Sequence, residues 1–280
     1  MMRKRLKNFN GVLLWGSTAV LAFAILMPVY WIFLSSVTTR DDLFKSPIDY
    51  IPLRPTLQNY ADLFSSIKMM PLIQNTAIII FFTLVISTFI SMLAAYAFAR
   101  IKFKGSAAAM MFLLATSMFP PATTVIPLFQ LFRDFKLIDK LEGLTILYIG
   151  MLVPFTTWIM ASFLKQLPVS LEEAAWVDGA GFMRTMFSII FPLMKPAVAT
   201  MLIINFILCM NEFMIPLIFA LNKANTITIG MLQISTISPY LIPWERISAL
   251  AALMLIPIIL FIVIFERQIM EGLMAGGIKS

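Results

Sequence analysis

Histidine is absent from this sequence, cysteine occurs once, and charged residues make up only 12% of its 280 positions. Without histidine, neither a histidine proton relay nor a histidine-ligated metal site can be built. The single cysteine, Cys209, excludes a disulfide within the chain, and its apolar neighbours predict that it packs as a small hydrophobic residue. Histidine-based sites and disulfide scaffolds are therefore excluded from the start.

Polar surface is scarce as well. Soluble domains carry roughly 25% charged residues, whereas this chain is 60% hydrophobic with a mean hydropathy of +0.92. Lipid is therefore the expected main solvent. Because no stretch is long and polar enough for a soluble domain, we predict one transmembrane domain over residues 1–280, with a core at about 72–265 and a tail at 266–280.

Six apolar segments are long enough to span a membrane, which takes about 20 residues. They lie at residues 12–34, 72–99, 107–129, 144–163, 197–219 and 247–265. Pro120, Pro121 and Pro127 interrupt the third segment and predict a kink or break there. The predicted fold class is an all-α membrane protein with six transmembrane helices.

Basic residues set the predicted orientation. Unopposed clusters at residues 3–7 and 100–104 lie on one side of the six-span arrangement, whereas most cations on the other side are matched by acids. The positive-inside rule places both termini in the cytoplasm. The first apolar run is too long for a signal peptide and lacks a small-residue cleavage site. The net charge of +7 fits attraction to a membrane surface, and no motif suggests nucleic acid.

A short helix is predicted between the fourth and fifth spans, within a segment at about 168–196. Ser170 with Glu173 three residues later forms a capping box, and Gly179 suits the left-handed residue that ends a helix. The expected helix covers residues 171–178 on the cytoplasmic face. A lipid-surface helix would show Lys and Arg, but this one carries Glu172, Glu173 and Asp178, which favours a protein groove as its binding partner.

The spacing in this segment resembles the EAA loop of permeases in binding-protein-dependent ABC importers. The matching positions are Glu173, Ala174, Ala175, Gly179, Ile189, Phe191 and Pro192, with Phe191 replacing the family's usual leucine. Other stretches resemble the carbohydrate branch of that family, in particular the second permease of maltose-type systems. They are Asn75-Thr76, residues 94–97 before Arg100, Asn211-Glu212-Phe213 and the tail at 272–279.

The resemblance implies partners and a division of labour. A second homologous permease would complete the translocation path, two ABC ATPase subunits would use ATP and Mg, and an extracytoplasmic binding protein would deliver a sugar-like solute at the prokaryotic inner membrane. The chain itself would bind no cofactor and would not be an enzyme, since it carries no phosphate-loop motif. The ATPase-coupling residues implied are Glu172, Glu173, Ala174, Ala175, Asp178, Gly179 and Pro192, with the tail at 276–280 reaching toward the ATPases.

Polar residues inside the spans leave two interpretations open. Asn205, Asn211 and Glu212 in the fifth span either face the solute path or bond neighbouring helices. Thr83, Ser87 and Ser91 in the second span are typical of a helix-packing seam, with a pore-lining role as the alternative.

Two other functional classes would require features that differ from those of an ABC permease. A secondary transporter or channel acting without an ATPase would need inverted repeats and a midplane charge relay. One candidate intramembrane acid and no histidine disfavour proton coupling. A membrane-embedded enzyme would need a metal-ligand cluster or a nucleophile–base pair, and the sequence shows neither pattern.

Overall fold

The computed structural model describes the backbone of residues 2–234 and 242–277, and the side chains of residues 14–120, 123–234 and 242–266. All regular structure in these ranges is helical, which confirms the all-α class. The α-helices are α1 Met2–Ser36, α2 Arg40–Leu43, α3 Gln58–Ser66, α4 Met69–Arg100, α5 Ser106–Thr116, α6 Pro121–Asp134, α7 Leu141–Leu164, α8 Ser170–Val177, α9 Phe182–Thr185, α10 Phe191–Leu193, α11 Lys195–Asn211, α12 Met214–Phe219, α13 Ile227–Gln233 and α14 Trp244–Gly277. A π-helix, Met186–Ile190, joins α9 to α10.

Four helices in the described ranges are long and apolar enough to cross a membrane. Their spanning parts are Leu14–Ser36, Met69–Arg100, Leu141–Leu164 and Trp244–Glu266. A fifth crossing is possible if Phe182–Leu193 and Lys195–Asn211, which meet at an angle of 74°, count as one broken span. Six continuous spanning helices are therefore not what the structure contains.

The third predicted span is divided into two helices. α5 ends at Thr116 and α6 begins at Pro121. Between them Pro120 has an extended ψ of 131°, because a residue that precedes proline avoids the helical region. Pro121 then occupies the start of α6, where its missing N–H removes no helical hydrogen bond.

The fifth predicted span, residues 197–219, is divided in the structure into two helices. α11 begins at Lys195 and stops at Asn211. Glu212 then takes an extended conformation (φ −70°, ψ 122°), and α12 begins at Met214. Hydropathy could not locate this break because apolar residues lie on both sides of it.

Contacts divide the chain into two compact units: Met1–Met69 with Met231–Leu255, and Met70–Gly230 with Ile256–Ser280. In the first unit, Asn59 closes the end of α1. Its buried amide donates to the carbonyls of Ser36 and Thr38, both at 2.9 Å. The Tyr60 hydroxyl adds a 2.8 Å bond to Ser36 Oγ. The two amide bonds of Asn59 satisfy carbonyls that the end of a helix leaves without partners.

The second unit holds a core rich in methionine. Its buried members are Met92, Ala95, Tyr96, Met160, Ala161, Leu164, Met186, Ile190, Met194, Val198 and Met201. They come from α4, α7, the π-helix and α11, together with Met194 at the bend between α10 and α11. Methionine is flexible and fills irregular gaps, which suits a core made of helices that are bent and broken.

Three side chains hold the loop between α12 and α13, residues 220–226. Asp139 Oδ1 accepts four backbone N–H bonds, from Leu221, Asn222, Lys223 and Ala224, at 2.8–3.1 Å. The Asn75 amide donates to the carbonyls of Lys223 and Asn225 at 2.7 and 2.9 Å. Thr76 Oγ1 accepts from the N–H of Ile227 at 2.8 Å. The loop is therefore fixed to α4 and to the turn before α7.

The hydrogen bonds that Asp139 accepts predict that the stability of the loop 220–226 depends on pH. Partial burial acts to raise the pKa of this carboxyl, but the four backbone donors outweigh it, so that its pKa lies below 3.8. A lowered pKa stabilises the fold above pH 3.8, and this stability is lost as pH falls through the lowered value. At pH 7, Asp139→Asn is expected to cost roughly 1–2 kcal/mol, measured as faster amide hydrogen exchange at residues 221–224.

The matched control for this prediction is Asp134→Asn. The Asp134 side chain is 69% exposed, and its carboxylate lies 3.3 Å from the guanidinium of its exposed neighbour Arg133. Unchanged exchange in Asp139→Asn, or equal acceleration in both variants, would contradict the role assigned to Asp139.

Candidate functional site

The short helix α8 lies in the segment where the sequence predicted one. It covers Ser170–Val177 rather than residues 171–178. The predicted capping box is wrong, because Val169 already has helical angles (φ −65°, ψ −28°) and no side chain caps the start. The carbonyl of Val169 instead accepts from the N–H groups of Glu172 and Glu173, at 2.9 and 3.1 Å.

Gly179 ends α8 in the left-handed conformation, as predicted, with φ at +80°. Its N–H bonds the carbonyl of Trp176 at 3.0 Å, and the N–H of Ala180 bonds the carbonyl of Ala175 at 2.9 Å. This pair of bonds is the Schellman arrangement, which requires a positive φ at the residue that glycine occupies.

A buried ion pair fixes α8 to the last turns of α4. Glu172 is 1% exposed, and its Oε1 lies 2.6 Å from Arg100 Nε. The Tyr96 hydroxyl donates to Glu172 Oε2 at 3.1 Å. Arg100 Nη2 also donates to the carbonyl of Leu167 at 2.9 Å. Both carboxylate oxygens therefore have partners, which is the condition under which a charge can be buried.

Glu172 corrects one expectation about this helix. The acids of this helix favour a polar face toward a protein partner, but Glu172 points inward beside Ala175, which is 6% exposed. Only Glu173 and Asp178 lie on the open face. Between them is an uncharged surface that includes Ala174 and Val177, the latter 88% exposed.

The chain after α8 stays attached to the same part of α4. Phe182 packs edge-on against Tyr96, with ring centroids 5.3 Å apart. The π-helix then inserts Met186 and Ile190 into the core, where they are 1% and 2% exposed. Pro192 is exposed in α10, immediately before the bend into α11.

The three polar residues of the fifth predicted span take different positions. Asn205 is 1% exposed, and its amide donates to Thr156 Oγ1 of α7 at 3.0 Å. Asn211 is exposed and bonds the carbonyl of Ile207 in its own helix. Glu212 Oε1 accepts from the N–H of Ile215 at 2.9 Å, at the start of α12. Each bond serves helix packing or a helix end, and solute contact stays a prediction for all three residues.

The small residues of α4 form a packing seam. Thr83, Ser87 and Ser91 are all 0% exposed, and Ser91 Oγ lies 3.4 Å from the carbonyl of Val153 in α7. Their burial within this chain favours the packing interpretation over the pore-lining one.

The order of these features, a long helix tied to a short capped helix that leads into a bent one, has relatives among known proteins. The family of binding-protein-dependent transport system inner membrane components matches residues 87–271. This chain belongs to that family. It is therefore a multi-pass membrane protein and a transport permease subunit.

Individual permeases of this family resemble the chain over nearly its whole length. The sulfoquinovosyl glycerol transport system permease protein SmoH of Agrobacterium fabrum is 33% identical, over 91% of this chain and 89% of that protein. The trehalose/maltose transport system permease protein MalG of Thermococcus litoralis is 31% identical, over 96% and 97%. The trehalose permease SugB of Mycobacterium tuberculosis is 32% identical, over 94% and 95%.

A solved permease shares the fold. A chain from a bacterial ABC transporter that imports the acidic polysaccharide alginate superposes with a TM-score of 0.79 at 19% identity. The match covers 94% of this permease and 97% of that chain. The chain therefore has the fold of that transporter chain.

Sequence reasoning missed several residues that organise this permease. Tyr96 and Arg100 belong to a stretch that resembles the family, and no sequence pattern assigns a role to Asp139 or Thr156. Arg100 and Glu172 are 72 positions apart, so no local pattern pairs them. The predicted contact of the tail, residues 276–280, lies outside the described side chains.

Proposed function

We propose that this permease forms half of the translocation path of an ATP-driven importer for a sugar or sugar-like solute. Relatives whose names specify trehalose, maltose or a sulfoquinovosyl glycoside support a carbohydrate substrate. A second homologous permease completes the path, an extracytoplasmic binding protein delivers the solute, and two ATPase subunits bind and hydrolyse ATP with Mg.

The proposed topology has six crossings with both termini in the cytoplasm. α5 and α6 cross together as one broken span, and the pair bent by 74° enters from the cytoplasmic side. The Arg100–Glu172 pair supports the side assigned to α8, because it brings α8 to the end of α4 next to the basic residues 100–104. The positive-inside rule assigns that basic end to the cytoplasm.

One observation carries the coupling role of α8. Its inner face is fixed by a buried ion pair, and its outer face is open at Glu173, Ala174, Val177 and Asp178. Side chains as small as alanine let a helix sink into a groove on a partner, in the helix-in-groove mode of recognition. α8 is therefore the docking helix for an ATPase subunit, with Gly179 and Pro192 bounding the segment that follows it.

The test of docking is Val177→Asp, examined in the complete transporter purified from detergent. Burying a new carboxylate in an apolar groove is expected to weaken ATPase association about tenfold, as for a central interface residue. Co-purification of the ATPase subunit is the measurement. The control is Leu57→Asp, since Leu57 is similarly exposed at 72% and lies outside the proposed surface.

Two results would count against the proposal. Full ATPase recovery with Val177→Asp would remove α8 from the docking surface. Solute uptake by the wild-type chain in vesicles that contain no ATPase would favour a secondary transporter or channel instead.

A further inference from the structure

Helix α4 carries an anchor at each end, and both anchors lie in the same compact unit. At one end, Tyr96 and Arg100 hold Glu172 of α8 at 3.1 and 2.6 Å. At the other end, Asn75 and Thr76 hold the loop 220–226 and the first N–H of α13. No other described helix carries side-chain hydrogen bonds to both of these segments.

The distance between the anchors matches the thickness of a membrane. Thr76 and Tyr96 are separated along one helix, and a rise of 1.5 Å per residue places them about 30 Å apart, close to the hydrocarbon thickness of a bilayer. α4 runs unbroken from Met69 to Arg100, and its proline, Pro71, lies in the first turn, where no helical hydrogen bond is lost. A continuous helix without a break can carry a displacement along its axis.

The anchor at α8 resists separation for an electrostatic reason. The side chains of Arg100 and Glu172 are 9% and 1% exposed. Pulling them apart would leave an unpaired charge in a buried place, which is strongly unfavourable. α8 and the end of α4 are therefore expected to move together when α8 is displaced.

The opposite anchor is equally specific. Asn75 donates two bonds to carbonyls on either side of Ala224, which is 0% exposed, and Asp139 holds the same loop from the turn before α7. A movement of the first turns of α4 would therefore reach the loop through side-chain bonds to its backbone.

We propose that α4 is the mechanical link of this permease, and that Arg100, Glu172 and Tyr96 form the joint through which a displacement of α8 reaches the loop 220–226. Glu172 is thus a positioning residue of the permease, bonded inside the chain, and it makes no contact with the ATPase. This inference rests on the proposed docking role of α8.

The experiment measures the motion of the loop 220–226 when nucleotide binds to the ATPase at the α8 end of α4. A spin label is attached through Asn222→Cys in the complete transporter reconstituted in nanodiscs. Asn222 is exposed, so the label can attach there. The native Cys209 is buried and does not compete for the label. Wild-type transporter is expected to change its spectrum when a non-hydrolysable ATP analogue is added. In Glu172→Gln, the ATPase still co-purifies, the spectral change is lost, and solute imported per ATP hydrolysed falls about tenfold.

Tyr96→Phe provides a milder variant, because it removes only the bond to Glu172 Oε2 and keeps the ion pair. It is expected to reduce both readouts less than Glu172→Gln, and it serves as the test if Glu172→Gln does not assemble. Asp134→Asn, which alters an exposed carboxylate elsewhere, is expected to behave as wild type.

The outcomes separate the two levels of inference. If the wild type neither binds the ATPase nor responds to nucleotide, the proposed function fails. If the wild type responds and the variants at Glu172 and Tyr96 respond equally, with unchanged import per ATP, only the link through α4 is overturned. Loss of ATPase association in Glu172→Gln and Tyr96→Phe, with normal import per ATP in the complexes that remain, would also overturn it.

Discussion

Gly143→Ala is expected to destabilise the permease by about 3 kcal/mol, at the upper end of the cost of overpacking. A Cβ at Gly143 would lie 2.2 Å from the carbonyl oxygen of Leu137 and 3.1 Å from its carbonyl carbon. These are backbone atoms, and Leu137 is tied to the end of α6 by a 2.8 Å bond from its N–H to the carbonyl of Phe132. Gly143 cannot move away without disturbing the start of α7, and Leu137 cannot move away without disturbing the end of α6. Unfolding in mixed micelles is the measurement.

Gly150→Ala is the matched control in the same helix, α7. A Cβ at Gly150 meets no atom within 4 Å, and alanine favours a helix interior over glycine by about 1 kcal/mol. This variant is therefore expected to be as stable as the wild type or slightly more stable. Equal losses at the two glycines would show that α7 does not approach Leu137 as closely as the structure has it.

Hydropathy predicted the continuous spans well, because a continuous apolar helix satisfies its own backbone in lipid. Four predicted spans match observed ones: 12–34 matches Leu14–Ser36, 72–99 matches Met69–Arg100, 144–163 matches Leu141–Leu164, and 247–265 matches Trp244–Glu266. The agreement is within a few residues at both ends of α4 and α7, whereas α1 and α14 continue as helices beyond the predicted spans, to Met2 and Gly277. The apolar composition of such a segment is enough to locate the helix in the sequence.

The sequence predicted a break in a helix only where several prolines interrupt an apolar segment. Pro120 and Pro121 signalled the interruption between α5 and α6, but hydropathy still counted one span. At Glu212 the apolar residues on both sides read as one helix, although Pro216, four residues later, has no N–H to bond the Glu212 carbonyl. The break depends on bonds made elsewhere, such as Thr228 Oγ1 to the carbonyl of Glu212 at 3.0 Å, which local patterns do not contain.

The candidate docking segment was predicted in its local features and not in its tertiary ones. Gly179 fixes the end of α8 through its own backbone, so its role could be read from the residue type. The inward turn of Glu172 depends on Arg100 of another helix, and an acid on a short helix looks exposed until its partner is known. The sequence therefore predicted a helix but assigned one of its acids to the wrong face.

Gly179→Ala is expected to reduce association of the ATPase subunit about five- to tenfold. At φ +80° a residue with a Cβ is strained by roughly 1–2 kcal/mol, and relief of that strain would undo the bond from Ala180 N–H to the carbonyl of Ala175. The end of α8 would then shift relative to Val177, at the centre of the proposed docking surface. Gly179→Val is expected to be worse, because β-branched residues tolerate positive φ least.

Gly181→Ala separates the effect of backbone conformation from the effect of adding a methyl group. Both glycines have open room for a Cβ, with no atom within 4 Å at either position, but Gly181 has an ordinary φ of −75°. A normal level of ATPase recovery is therefore expected for Gly181→Ala, and a reduced one for Gly179→Ala. Because the two variants add the same methyl group two positions apart, a difference between them is due to the left-handed turn alone, and equal recovery would show that the Schellman end of α8 is not needed for docking.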